Sequence, residues 1–359
     1  MLVGKMQRAI LMAIFLFASL SVAEDVNPGG GTTNEAKSTT TNSGSGGDAK
    51  PNGSGGDTKP TGSGGDTKRI FDFKLTDDMK TADLDNPSSA LSKLIAFIVK
   101  GAGKASEYVS ILHPRKSPSE IQLEIRDDSI FIPGGNSANA QHGFRRTDVN
   151  PAIDKTTTLT GITTWYQTIR LDSKAPLVLT HGYLFASIEV PSGDHIFDIF
   201  GGSDFDAQNT DHKPSSNSET IRVRDFKTKT LLSLPLKYDQ NYNFAVTVDW
   251  DANTLTVYSS IGAEPLKMAG GPMPNDAKAM SPEFKQKGEY HIQLIKFPLA
   301  DSKDPVDKRS DTPHFGFQEP IKKEHVFFSN VFATSGKEIE QPKFSVSKKG
   351  KKPKACKRS

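Results

Sequence analysis

The sequence predicts an all-β fold for residues 70–341 of its 359, a β-jelly-roll or related two-sheet antiparallel sandwich. Three observations carry that prediction. Apolar side chains recur with period two in several runs, polar turns such as Asp251-Ala252-Asn253 separate those runs, and a single stretch has helical spacing. Strand runs with little helix bury their apolar faces by stacking two sheets, and about 270 residues suit one large β domain as well as two small ones.

The helical-looking stretch comes first. Ala90, Leu91, Leu94, Ile95 and Ile98 fit a helix, yet residues 96–100 (AFIVK) read equally as a strand. Residues 121–126 (IQLEIR) alternate, as do 184–190 (LFASIEV), 221–224 (IRVR), 244–250 (FAVTVDW) and 254–258 (TLTVY). Parity assigns faces. Leu184, Ala186, Ile188 and Val190 should face the core, which turns Phe185, Ser187 and Glu189 the other way. His181 and Tyr183 join that second row if the strand extends back through Gly182. An aromatic ring, a hydroxyl and a carboxylate in one row suit a concave carbohydrate cleft, and an ordinary solvent-facing row would look the same.

The flanking segments differ in kind. Lys5 and Arg8, the apolar residues 9–17 and the small-residue exit Ser21-Val22-Ala23 read as a signal peptide over 1–23, implying a secreted, extracellular protein. A span needs roughly 20 apolar residues; this run is shorter and no later one qualifies, so no membrane span is expected. Residues 24–69 form a Gly/Ser/Asp/Lys repeat linker, with no aromatic side chain and too few apolar ones to offset the entropy of ordering, and Asn52-Gly53-Ser54 is a glycan acceptor signal. The basic tail 342–359 carries Lys348, Lys349, Lys351, Lys352, Lys354, Lys357 and Arg358. Removing those seven charges takes the net +3 to −4, so disorder and attachment to an acidic surface are both expected of the tail. The chain's net charge gives no support for a nucleic-acid-coating protein. One cysteine, Cys356, rules out an internal disulfide framework and a thiolate zinc cluster.

Several phrases, read in order, resemble the catalytic domain of fungal glycoside hydrolase family 131, secreted β-glucanases with a β-jelly-roll fold. They are residues 70–74 (IFDFK), 99–111 (VKGAGKASEYVSI), Arg146-Thr147-Asp148-Val149, Trp165-Tyr166, His181 and 242–245 (YNFA). Residues 257–262 (VYSSIG), 289–298 (EYHIQLIKFP) and 325–332 (HVFFSNVF) continue the series. Their order over the whole domain, rather than any one phrase, makes the resemblance.

What the resemblance implies about the site includes two departures. The family's Arg-Thr-Glu is similar to Arg146-Thr147-Asp148, one methylene shorter, and the glutamate closing its His-x-x-x-Phe-Phe-Glu falls on Ser187. Glycosidases usually flank the scissile bond with two carboxyl groups, and serine supplies neither role. Glu189, two residues on along the same expected face, makes a shifted pair with Asp148 conceivable, so these two are the catalytic candidates. Asp194, Asp198, Asp204 and Asp206 stand in or near the following loop, which reads more simply as a surface turn. By resemblance His181 and His291 would orient sugar hydroxyls or a carboxylate and Arg146 would pair with an acid or bind substrate; parity adds Tyr183, Phe185 and Ser187 to the substrate-binding candidates, and Trp165 and Tyr166 are further aromatic candidates. No cofactor is expected, because Gly201-Gly202 and Gly270-Gly271 read as turns, and no metal, because His181 and His291 lack short-spaced partners.

The resemblance thus implies action on cell-wall β-glucan with β-1,3, β-1,4 or β-1,6 linkage. Loss of the glutamate at 187 leaves open a degenerate protein that binds glucan without cutting it. A third reading is a polysaccharide lyase, which needs a positively lined cleft and a Tyr or His base.

Overall fold

In the computed structural model the described residues are 68–341. The signal-peptide expectation, nearly all of the linker, the basic tail and Cys356 lie outside them. The linker boundary shifts slightly, because Arg69 already belongs to the first strand.

Fifteen strands run through the described residues. They are β1 (Arg69–Asp72), β2 (Ile95–Val99), β3 (Val109–Leu112), β4 (Glu120–Ile125) and β5 (Arg145–Pro151). Next come β6 (Ile162–Leu171), β7 (Gly182–Glu189), β8 (His195–Gly202), β9 (Thr220–Asp225) and β10 (Thr230–Pro235). The last are β11 (Asn241–Asp249), β12 (Thr254–Ile261), β13 (Lys267–Pro274), β14 (Glu289–Lys296) and β15 (Glu324–Ser335). One α-helical turn, α1 (Lys155–Thr158), and short 3-10 turns account for the helix. The ambiguous stretch resolves as a 3-10 turn, Ser92–Leu94, followed by β2.

Two antiparallel sheets result. One has the order β13-β12-β11-β6-β15-β4-β3, with β1 paired to the far half of β15; the other is β10-β9-β8-β7-β14-β5-β2. Asp251-Ala252-Asn253 turns the chain between β11 and β12, with Asn253 at positive φ, a conformation Asn adopts at low cost.

The inner faces of both sheets share one apolar core. Trp165 of β6 stacks on Tyr290 of β14 at 4.7 Å, bridging the layers, and the Tyr290 hydroxyl donates to Gln167. Burying rings this large supplies much of the drive to stack the sheets. The core also takes Tyr183 and Phe185, contrary to the parity expectation. The reason is a β-bulge. Leu184 pairs with Phe200 and Ala186 with Ile199, so Phe185 is an extra residue against β8 and its side chain stays on the core side beside Ala186. Gly201 makes the room, since a Cβ there would sit 2.8 Å from Cε2 of Phe185. Leu184, expected in the core, instead packs on the outer face with Phe144, Phe200 and Ile295.

Candidate active site on the outer face of the seven-stranded sheet

Regular pairing of β5 with β14 fixes the centre of this face. Arg146 and Asp148 project outward from β5 opposite Ile295 and Gln293 of β14, and the Asn150 side chain reaches His291. Beyond the bulge β7 resumes its alternation, and Ser187 and Glu189 lie opposite His291 and Glu289. On the next strand, β8, Asp198 faces Ser187 and His195 faces Glu189; Arg224 of β9 in turn faces Asp198. Asp148 and Glu189 therefore share one face, on the two strands that flank β14.

Most of these polar groups are buried and paired. Arg146 grips Oδ2 of Asp148, with Nε at 3.1 Å and Nη2 closer still, and donates from Nη1 to Gln141 at 3.1 Å. Asp148 is fully buried and its Oδ1 has no partner. Burial pushes its carboxyl above the ordinary range, against the pull of Arg146. Gln293 donates from Nε2 to Ser187 Oγ at 2.9 Å, and Asn150 Nδ2 lies 3.0 Å from Nε2 of His291. Burial drives His291 well below its usual pKa, helped by Arg146, His195 and Lys155, so its ring is neutral.

Glu189 differs from Asp148 in reaching solvent, its side chain being 33% exposed. The surrounding protein still desolvates its carboxyl enough to raise the pKa, and Asp148 and Glu289 push the same way. His291 and His195 stand 4.0 and 3.9 Å from its Oε2. Asp198 behaves oppositely: burial pushes it up, but two hydrogen bonds from Arg224, at 2.8 and 2.7 Å, win and hold it ionised.

The site expectations are corrected at several positions. Tyr183 and Phe185 face the core and do not line this face. His181 sits at the end of the sandwich, donating from Nδ1 to the Phe297 carbonyl at 2.7 Å with Nε2 2.5 Å from Glu319. It joins a separate buried network in which Lys296 holds Glu319 and Glu324, while the Tyr183 hydroxyl donates to Glu324 at 2.8 Å. Trp165 and Tyr166 are buried, Tyr166 stacking on Phe332 at 4.2 Å. Asp198 is in mid-strand rather than in a loop, whereas Asp194 and Asp206 occupy turns and Asp204 binds Arg222 at 2.8 Å. Asn150, His195, Gln293 and Arg224 were absent from the sequence candidates. Each is a polar residue in a strand, and only pairing between distant segments reveals that they converge.

The sequence model described as "Glycoside hydrolase 131 catalytic N-terminal domain" matches residues 70–338. The chain belongs to glycoside hydrolase family 131. Two solved structures share the fold. One is a GH131 β-glucanase catalytic domain from Podospora anserina, 18% identical with a TM-score of 0.55. The other is the catalytic domain of the glycoside hydrolase family 131 protein from Coprinopsis cinerea, 16% identical with a TM-score of 0.54. Each alignment covers 77% of this chain and 98% of the other. No curated protein sequence matches the chain.

Within this family 131 domain the face offers carboxyl groups, imidazoles and amides, a set suited to proton transfer and to binding hydroxyls. No cluster of three or more His, Cys, Asp or Glu with metal-holding geometry occurs among the described residues, and no helix among them is long and apolar enough to cross a membrane.

Proposed function

We propose that the chain hydrolyses cell-wall β-glucan outside the cell, with Glu189 as general acid and Asp148 as the second carboxyl group. The observation that carries this reading is the environment of Glu189: its carboxyl reaches solvent, and burial of its surroundings raises its pKa toward the range an acid catalyst needs. Two strand spacings and a four-residue stagger along β14 put the Asp148 and Glu189 Cα atoms about 16 Å apart. That spacing is far wider than the roughly 5 to 5.5 Å carboxyl pair of a retaining enzyme, so the reading does not use these two groups for retention. The reading includes secretion by residues 1–23, a spacer over 24–69 and attachment to acidic surfaces by the tail 342–359.

A second reading is glucan binding without cleavage. It is favoured by the burial of Asp148 under Arg146 and by Ser187, held by Gln293, where the family resemblance places a glutamate. The lyase reading draws little support, since Arg146, Arg224 and Arg222 are each held by a carboxylate.

Reducing-end release and pull-down on the same insoluble β-glucans test the choice. Release abolished by Glu189→Gln supports hydrolysis; binding without release supports the second reading. Neither release nor binding overturns both.

A further inference from the structure

We propose that His195, oriented by an Asp198 that Arg224 clamps, is the positioning residue that decides when Glu189 gains and loses its proton. This rests on the reading of Glu189 as an acid, but its physical core does not. Three neighbouring strands build the chain of contacts. Arg224 of β9 makes two hydrogen bonds to Asp198 of β8, Asp198 Oδ2 lies 3.2 Å from Nδ1 of His195, and His195 Nε2 points at Glu189 of β7 from 3.9 Å.

Each link has a physical consequence. The bidentate Arg224 contact fixes the Asp198 carboxylate, which accepts from Nδ1–H and thereby turns Nε2 toward Glu189. The side chain of His195 is partly exposed, while Asp198 is buried and keeps its charge. A proton added to His195 places a cation beside Glu189 and favours its ionised form; loss of that proton removes the attraction. Other charges face them as well: Arg146 and Asp148 from β5, His291 and Glu289 from β14, and Lys155 from α1, which binds Glu289 at 3.2 Å. Replacing His195 also removes its influence on Asp148 and His291, so the Asp148 carboxyl is followed alongside Glu189.

The test is a carbon-13 carboxyl titration of the full chain, wild type against His195→Gln and Asp198→Asn. The Glu189 carboxyl signal is followed through pH in all three proteins. Its midpoint should rise by about one pH unit, tenfold in proton affinity, in His195→Gln, and by less in Asp198→Asn. The alkaline limb of kcat should move with it while KM stays put. An unchanged midpoint in a folded His195→Gln overturns the proposal. Should the wild type cleave no glucan, the hydrolase reading fails while the titration still judges the relay.

Discussion

Gln293 and Ser187 meet through a 2.9 Å hydrogen bond at the centre of the outer face, both side chains fully buried. Gln293 gains there the one partner it has, since its Oε1 is unpaired. Ser187→Ala would leave the amide with no partner at all, and should cost about 1 to 3 kcal/mol in urea unfolding. An unchanged midpoint would mean that water replaces the hydroxyl.

Arg146 and Asp148 pose the opposite problem, a charged pair in a dry setting. Arg146→Met strands a buried carboxylate and should destabilise by about 3 to 5 kcal/mol. Replacing both, Arg146→Met with Asp148→Leu, should cost less than the single change, because no charge remains to be solvated. If the two effects simply add, the pair is not coupled in the way its geometry implies.

For Glu189 the raised pKa has a direct kinetic sign. An acid that must be protonated works below its pKa, so glucan cleavage should hold at low pH and decline as pH rises through a midpoint above the ordinary glutamate value. Glu189→Gln should lower kcat by about 10²- to 10⁴-fold and abolish that limb. A pH profile that survives the substitution would assign the acid to another residue.

The bulge at Phe185 can be probed through its neighbour. Gly201→Ala places a methyl 2.8 Å from Cε2 of Phe185, with Leu236 close behind, and should cost about 1 to 3 kcal/mol. Adding Phe185→Leu should recover part of it. No recovery would show that strain arises elsewhere.

The same bulge shows where sequence reasoning stops. Alternation located β4, β9, β11 and β12, because each keeps period two along its length. It failed within β7, since one extra residue reverses the face of everything before it, and Leu184 and Phe185 are both apolar, so neither position betrays the reversal. Asp148 and Glu189 were found because the first matches a family phrase and the second follows Ser187 by one pleat. Asn150, His195 and Gln293 carry no local signal: their importance comes from antiparallel pairing across β5, β14, β7 and β8, a non-local relationship that no window of sequence contains.

The last prediction concerns the buried network at the end of the sandwich. Burial alone would raise the Glu319 carboxyl, but the hydrogen bond with His181 and the contact with Lys296 outweigh it and bring the pKa to about 2 from an ordinary 4.5. The sign follows from linkage. In the unfolded chain the group takes up its proton near 4.5, while the folded protein keeps the charge down to about 2, so the contribution is complete above 4.5 and disappears as pH falls to about 2. Near neutrality Glu319→Gln should therefore lose about 1 to 2 kcal/mol, less than the full shift implies because Glu319 is partly exposed and solvent screens its charge. The gap between wild type and variant in urea midpoints should narrow through that acid window and close at its lower end. A gap that stays constant across the window would mean that Glu319 acts through packing or neutral hydrogen bonding rather than through its charge.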